Sequence, residues 1–450
     1  MENADYNHPA IKCEVLENDS NLTFSREKSI FHGQFHIIII LILVLNFSPG
    51  CKSTTPGKSQ ETKKNMVPEQ KASKSFQEEL DFLNKHKIET VILQDRSRSS
   101  KLIIIPAFQG RVMTSSANGS EGYSYGWINH ELISSGEHQE HINAFGGEER
   151  LWMGPEGGPF SLYFPVGSNQ EFENWQVPAL LDTATFNLVD QTPTSASFTK
   201  KFELQNYVGN SFSGVLNREI TLLPPDNVSK TLGISNFDGT RQVAYESKNT
   251  IINKGESKWD RKTGMVSIWM LSMLNPSDKT IIFIPFDTTD PGKKGITTDY
   301  FGDIPSSWLK ITNGMIYFKA DGNYRGKIGL PPEIAKPWCG SYDPENNRLT
   351  LLWCQLPKGK NNYVNSQWGE QEDPFRGDVV NAYNDGPLED GSQLGPFYEL
   401  ESSSPAANLK PGEQLTHVQR IYHIEGKREK LDEIISNIFG IKVTDITKQF

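Results

Sequence analysis

Apolar residues follow a strand-like pattern over most of the chain, in short runs separated by turn-forming residues. The runs lie at residues 90–94, 101–105, 185–189, 196–204, 214–223, 266–273, 280–285, 314–319 and 349–355. Many short strands with polar turns between them are typical of a large β-sandwich or β-barrel. Neither a repeat of fixed period nor a change of composition divides the region. The pattern therefore predicts one large all-β domain.

Helical periodicity is confined to the two ends of this region. Ser75-Phe76-Gln77-Glu78 is a capping box that precedes apolar residues at helical spacing. Near the C-terminus, residues 428–439 carry an apolar stripe formed by Leu431, Ile434, Ile435 and Ile438. We therefore expect short N- and C-terminal helices, the second packed against the edge of the sandwich.

The first fifty residues predict an export signal. Basic residues precede an apolar run at residues 37–45, which has the length of a signal-peptide core and is too short to span a bilayer. Ser48-Pro49-Gly50-Cys51 follows and is similar to the end of a bacterial lipoprotein signal. We therefore expect Cys51 to carry a lipid. A short buried helix is the alternative for the apolar run.

These signals divide the chain into four parts. Residues 1–50 are predicted to be an N-terminal extension with the signal peptide, and residues 51–74, rich in Ser, Thr, Lys and Gln, a flexible tether. The β-sandwich is predicted at residues 75–426, and a C-terminal helix with a tail at residues 427–450. The expected location is the bacterial cell envelope, with a lipid anchor in the membrane, at the outer membrane or the periplasmic face.

Charge and aromatic content narrow the class of partner. The formal net charge is −10 at pH 7, and no basic run is interleaved with aromatic residues, so we expect no nucleic-acid partner. Several of the nine tryptophans stand beside Gly, Asn or charged residues, which suits stacking on sugar rings in a carbohydrate site. Core or edge positions would explain most of them individually. No phosphate-loop or dinucleotide pattern is present, and no cofactor is expected.

Two cysteines lie within the predicted sandwich. Cys339 and Cys354 flank a strong turn signal at residues 343–347, so a hairpin there would bring them near each other. A disulfide is one outcome in an oxidising envelope, and two free buried thiols are the other. The spacing of cysteines and histidines does not indicate zinc, and the acidic residues lack the spacing of a calcium loop, so no metal is expected.

Paired carboxylates near the C-terminus are the first candidate for chemistry. If the segment around residue 400 is a strand, Glu399 and Glu401 project from one face, roughly 6–7 Å apart. Like charges at that distance oppose each other's ionisation, so one of the two pKa values is expected to rise. Such a pair could serve as acid and base for a substrate. The alternative is two solvated carboxylates on an exposed face of the sheet.

Two further blocks are rich in groups that bind sugar hydroxyls. Residues 143–160 combine glycines with the candidate substrate-binding residues Glu149, Arg150 and Trp152. Residues 363–368 and 377–386 are dense in Asn, Asp, Tyr and Trp, and contribute the candidates Asn365, Asp378 and Asn384. Structural turns are the alternative for both blocks, with Arg150 paired to a nearby carboxylate in the first.

Four features between residues 90 and 423 together resemble the galactose mutarotase-like (aldose 1-epimerase-like) superfamily. They lie at residues 103–112, at residues 146–152, at residues 249–255, and at Leu400-Glu401-Ser402 followed by residues 409–413. The chain is most similar to an uncharacterised family of mutarotase-like lipoproteins of the bacterial envelope. The resemblance implies a β-supersandwich, with a carbohydrate bound in its concave face.

The resemblance also implies roles for the carboxylates. Glu401 matches the glutamate that acts as base at the anomeric hydroxyl in aldose mutarotases, with Glu399 beside it. The acid of that family is a mid-chain histidine, and residues 249–255 contain none, although Lys254 could replace it. Two functions follow. One is an envelope lipoprotein that binds a carbohydrate, with or without epimerase-like catalysis, and the other is a non-catalytic interaction or scaffold protein of the envelope.

Overall fold

The structure, a computed structural model, describes residues 74–288, 295–312, 314–359 and 361–450. The predicted signal peptide, the predicted lipidation site Cys51 and residues 51–73 of the predicted tether lie outside the described residues. None of the helices within the described ranges has the length and apolar character needed to cross a membrane.

Strands dominate the described chain, as the alternation of apolar residues predicts. In chain order they are β1 (Val91–Gln94), β2 (Lys101–Ile105), β3 (Arg111–Ser116), β4 (Arg150–Gly154), β5 (Asn187–Gln191), β6 (Ser195–Gln205), β7 (Ser211–Leu222), β8 (Thr240–Asn253), β9 (Ser267–Leu274), β10 (Ile281–Pro285), β11 (Leu309–Thr312), β12 (Met315–Lys319), β13 (Gly326–Leu330), β14 (Trp338–Asp343), β15 (Arg348–Cys354), β16 (Val380–Asn384), β17 (Tyr398–Ser403) and β18 (Gln414–Gly426). The helices are α1 (Phe76–Lys85), α2 (His130–Ser135), α3 (Ala179–Asp182), α4 (Pro225–Leu232), α5 (Arg428–Phe439) and α6 (Val443–Thr447).

The strands form three antiparallel sheets. A small sheet has the order β1-β2-β3, a ten-stranded sheet the order β11-β12-β10-β14-β15-β18-β8-β7-β6-β5, and a five-stranded sheet the order β13-β16-β17-β9-β4. The main hydrophobic core contains residues of both larger sheets, such as Leu400 of β17 and Leu352 of β15. The predicted all-β class and the large sandwich are therefore confirmed.

Helix α5 covers a face of the ten-stranded sheet, which differs from the predicted position at the sandwich edge. Its residues Leu431, Ile434 and Ile435 pack in one cluster with α4, α6 and the side chains of β10, β15 and β18 that point away from the main core. The aromatic rings of Phe283 and Phe439 meet edge to face at 4.9 Å. The stripe predicted from the sequence lies against the face of the sheet because α4 and α6 complete an outer layer there.

The predicted N-terminal cap and the predicted hairpin are both present. The Ser75 hydroxyl accepts from the backbone N–H of Glu78, and the Glu78 carboxylate accepts from the backbone N–H of Ser75. Strands β14 and β15 form the hairpin that turns after Asp343. Cys339 and Cys354 are both buried and free, which corresponds to the second of the two outcomes predicted for them.

Candidate functional site

On the five-stranded sheet, the face opposite to the one that carries Leu400 bears a group of charged and aromatic side chains. Antiparallel register places Leu271 of β9 opposite both Glu401 of β17 and Arg150 of β4, so these three side chains share a face. By the same alternation the face also carries Glu399, Trp152, Trp269 and Lys327. We call six of these side chains the Glu401 site: Arg150, Trp152, Trp269, Lys327, Glu399 and Glu401.

Each carboxylate of the Glu401 site has a cation as its partner. Arg150 Nη2 donates to Glu399 Oε1 at 2.8 Å. Lys327 Nζ lies 3.0 Å from Glu401 Oε2, and Trp269 Nε1 donates to the same oxygen at 2.8 Å. Both carboxylates are buried, so the alternative of two solvated groups on an exposed face is wrong.

Indole rings cover both cations. The Arg150 guanidinium lies 4.4 Å from the ring centre of Trp152, and the Lys327 ammonium lies 4.6 Å from that of Trp269. The two indoles meet edge to face at 5.5 Å. A cation held over an aromatic face in a dry site keeps its charge at a smaller cost in desolvation than a cation buried alone. The site is therefore a compact array of two ion pairs and two indoles.

Burial raises the pKa of Glu399 from 4.5 to about 7, Arg150 opposes this rise, and the charge of Glu401 adds to it. The rise matches the direction expected for two carboxylates on one strand face. The sequence argument named the like charge as the cause, whereas removal from water contributes most.

The raised pKa of Glu399 predicts a pH dependence of stability. Because the folded protein binds this proton more tightly than the unfolded chain, Glu399 contributes stability below about pH 4.5, and the contribution is lost as the pH rises through about 7. Relative to Glu399→Gln, the free energy of unfolding should fall more steeply over that range, by up to about 1.4 kcal/mol per pH unit. Denaturant unfolding of both proteins at several pH values measures this difference. Parallel profiles would contradict the assignment.

Three buried polar atoms of the Glu401 site have no hydrogen-bond partner among the described residues. They are Arg150 Nε, Trp152 Nε1 and Glu401 Oε1. Leaving a buried polar atom unpaired costs about 1–3 kcal/mol, so such atoms are few in folded proteins. Two of these atoms are donors and one is an acceptor, and all three belong to side chains of one sheet face.

Two groups of residues border the Glu401 site. On one side the Tyr300 hydroxyl donates to Asp378 Oδ2 at 2.6 Å, and Lys327 lies 5.7 Å from the Tyr300 ring centre. On the other side Trp368 Nε1 donates to Glu156 Oε1 at 3.1 Å. Burial raises the pKa of Glu156, the charge of Lys327 opposes this rise, and the charge of Glu401 adds to it.

The structure separates the predicted binding residues into two sets. Arg150, Trp152 and the two carboxylates meet in the Glu401 site, and Asp378 borders it. Asn365 caps a turn by accepting from the N–H of Gln367, in the loop that also carries Trp368.

Glu149 and Asn384 lie elsewhere, which corrects their predicted place in the binding surface. Glu149 is buried with Arg218, at 2.7 Å, and also accepts from Ser247. Asn384 is buried and its side chain bonds the backbone at Gly322 and Tyr324. Strand alternation turns both side chains away from the face that Arg150 and Trp152 share, and Asn384 is the last residue of β16, paired with Gly326 and Tyr398.

Sequence reasoning missed Trp269, Lys327 and Tyr300. Trp269 falls in a predicted strand, but nothing local indicates that this strand pairs with the one carrying Glu401. Lys327 lies in a short strand, Gly326–Leu330, that follows a turn and has too few apolar residues to be recognised. Within the described ranges, no three His, Cys, Asp or Glu side chains are grouped so that they could hold a metal ion.

A separate groove of about 590 Å³ lies beside the site. Its lining comes from residues 138–143, 162–166, 176–183 and 203–206, and includes none of the six residues of the Glu401 site. Tyr163 connects the two, because it is one of the residues that line the groove and its ring centre lies 5.5 Å from that of Trp152. The groove is therefore a neighbour of the site and not the site itself.

Comparison with known proteins gives a family and a fold. Residues 74–450 match the model of DUF6786, which is described as a family of unknown function. None of the curated proteins matches the chain.

Among solved structures, the chain is similar to a galactose mutarotase-like protein from Lactobacillus casei (12% identity, 74% of this chain and 100% of that one, TM-score 0.41). It is also similar to a putative aldose 1-epimerase from Escherichia coli K12 (11% identity, 76% of this chain and 100% of that one, TM-score 0.44). A third similar structure is a galactose mutarotase related enzyme from Lactobacillus acidophilus (10% identity, 75% of this chain and 97% of that one, TM-score 0.42). The resemblance predicted from the motifs is thus found again among solved structures. A likeness at this identity concerns the fold and not the site.

Proposed function

The chain belongs to the DUF6786 family, and we propose that it binds a carbohydrate at the Glu401 site. The observation that carries the proposal is the arrangement of two carboxylates, two cations and two indoles on one sheet face. A sugar offers hydroxyls that both donate and accept, together with an apolar ring face. Charged side chains complement the hydroxyls and indoles complement the ring face.

The three unpaired atoms support a polyol as the ligand. Glu401 Oε1 can accept from a hydroxyl, while Arg150 Nε and Trp152 Nε1 can donate to one. A ligand that presented only acceptors, such as an inorganic anion, would leave Glu401 Oε1 unsatisfied. Hydroxyl groups of a sugar satisfy both kinds of atom.

Lys327 controls access to the carboxylate. Its side chain is 12% exposed, whereas the Glu401 side chain beneath it is 0% exposed. A sugar therefore meets Lys327 first and reaches Glu401 only when the ammonium group moves aside. A lysine can make this movement because its flexible stem reaches several positions.

An acid/base step would use Glu401 as base and Lys327 as the proton donor. Lys327 Nζ already contacts Glu401 Oε2, and Lys254 is exposed at the end of β8, outside the Glu401 site.

A non-catalytic interaction protein of the cell envelope is the second candidate function. The burial of Glu401 favours it, since Lys327 and Trp269 already occupy one oxygen of the carboxylate. In both cases we propose attachment to the envelope through a lipid on Cys51.

Calorimetric titration of the purified protein against a panel of mono- and oligosaccharides tests the carbohydrate proposal. Saturable binding of at least one sugar is expected. Arg150→Lys keeps the charge beside Glu399 but removes the planar set of donors, and should weaken binding about tenfold or more. Arg241→Lys is the control, because Arg241 is largely exposed on the ten-stranded sheet. No binding across a broad panel would favour the scaffold function.

A further inference from the structure

Aromatic side chains form a continuous series from the Glu401 site to the protein surface. Trp269 contacts Trp152 and Trp152 contacts Tyr163, each at 5.5 Å between ring centres. Tyr163 stacks on Trp175 at 6.2 Å, and Trp175 stacks on Trp368 at 6.0 Å. The first four rings are buried, whereas Trp368 is 38% exposed. The series thus ends in an indole that presents part of its surface to solvent.

Trp368 is held in place by its neighbours. Its Nε1 donates to Glu156 Oε1, and its ring meets Phe164 edge to face at 5.0 Å. The next residue is also fixed, because the Gly369 N–H donates to Gln170 Oε1 at 2.8 Å. A single exposed aromatic residue is common on protein surfaces. Trp368 differs from such a residue, because it is hydrogen-bonded, stacked on a neighbouring ring and connected through aromatic contacts to the buried Glu401 site. Its exposed face is therefore a fixed, flat apolar surface to which the ring of a ligand can bind.

Glu156 connects Trp368 with the Glu401 site. Its carboxylate accepts from the indole of Trp368, and Glu156 lies two residues after the end of β4, the strand that carries Arg150 and Trp152. A sugar unit stacked on Trp368 would therefore meet a carboxylate that belongs to the segment leading out of the Glu401 site. Carboxylate oxygens accept from more than one hydroxyl at a time.

The groove beside the site begins where this series reaches the surface. Phe164, which contacts Trp368, also lines the groove. The polar side chains of its lining are mainly amides and carboxylates, including Gln139, Glu140, Gln176, Glu203, Gln205 and Asn206. Such groups suit hydroxyls better than they suit an apolar peptide or a phosphate.

We propose that the exposed indole of Trp368, with Glu156 beside it, forms a second sugar subsite, so that the ligand of this protein is an oligosaccharide. The inference rests on the proposed function of the Glu401 site. One sugar unit lies at Lys327 and Glu401, a second stacks on Trp368, and the groove lined by Phe164 receives the units beyond. We identify the ligand as a polyhydroxylated chain because the Glu401 site, Trp368 and the groove each offer a flat apolar surface or groups that bind hydroxyls.

A length series of saccharides tests the second subsite. The full-length protein is titrated with the monosaccharide that it binds and with the di-, tri- and tetrasaccharides built from that sugar. The affinity should rise about tenfold or more from the monosaccharide to the longer members. In Trp368→Ala this gain should be lost while the affinity for the monosaccharide stays unchanged. Phe450→Ala is the control, because Phe450 has nearly the same exposure, 39%, and should leave all affinities unchanged.

The possible failures are distinguishable. If monosaccharide and oligosaccharides bind wild type equally, the second subsite is wrong and the proposed function stands. If the gain with length survives in Trp368→Ala, the longer ligands bind elsewhere and the assignment to Trp368 is wrong. If no member of the series binds wild type, the proposed function and the subsite both fail. Thermal melting of each variant checks that the fold is retained.

Discussion

Arg218→Met is expected to cost about 3–5 kcal/mol of the free energy of unfolding. Arg218 and Glu149 are fully buried and their charged atoms lie 2.7 Å apart. Arg218 also donates to Gly110 O and to Asn249 Oδ1, each at 2.9 Å. Methionine fills much of the volume but leaves Glu149 as a buried charge without its cation. The loss comes from that uncompensated charge more than from the contacts themselves.

Denaturant unfolding with a check of the m value measures the effect of Arg218→Met. Arg241→Met is the matched control, because Arg241 is 59% exposed and lies 3.7 Å from Glu425, so its loss should stay below about 1 kcal/mol. Combining Arg218→Met with Glu149→Gln removes the remaining charge and should recover part of the loss. Equal losses for the buried and the exposed arginine would show that Glu149 is neutralised in another way.

Gly146→Ala is expected to destabilise the protein by about 3 kcal/mol or more, through strain and overpacking together. Gly146 has a φ of +93°, a conformation that residues with a side chain rarely adopt. A Cβ atom there would lie 2.1 Å from the carbonyl oxygen of Trp127, which is part of the backbone and cannot turn aside. The segment that leads to Arg150 would have to shift, so the proposed binding of a sugar should weaken as well.

Gly167→Ala separates the two causes. Gly167 also has a positive φ, +78°, but no atom lies within 4 Å of the Cβ position. Alanine there should cost only the backbone strain, about 1–2 kcal/mol. Comparing the two variants by thermal or denaturant unfolding gives the share due to the clash. If Gly146→Ala costs no more than Gly167→Ala, the backbone near Trp127 is more pliable than the structure indicates.

Local patterns predicted much of the fold. The runs at residues 101–105 and 428–439 coincide with β2 and α5, because apolar periodicity reports directly which side of an element is buried. The shared face of Glu399 and Glu401 was predictable for the same reason. The position of Glu149 outside the site was predictable too. Neighbouring residues of a strand point to opposite sides, and Arg150 was already a candidate for the site.

The partners of the carboxylates could not be predicted. Arg150 and Lys327 reach Glu399 and Glu401 from strands that lie more than seventy residues away in the chain. Strand order and register in an antiparallel sheet depend on the whole set of pairings and not on any single segment. The sequence therefore left the alternative of two solvated carboxylates open, because the cations that pair with them lie in other segments of the chain.

The place of β18 in the ten-stranded sheet determines the order in which that sheet can form. Strands β5 to β8 lie on one side of β18, and β10, β11, β12, β14 and β15 lie on the other. Both groups are made before residues 414–426 leave the ribosome, and neither pairs directly with the other. Until then β8 and β15 each have an unpaired edge, which is the kind of surface that promotes aggregation. Strand β18 therefore joins two groups of strands that do not pair with each other, and the ten-stranded sheet is complete only when β18 has paired with both β8 and β15.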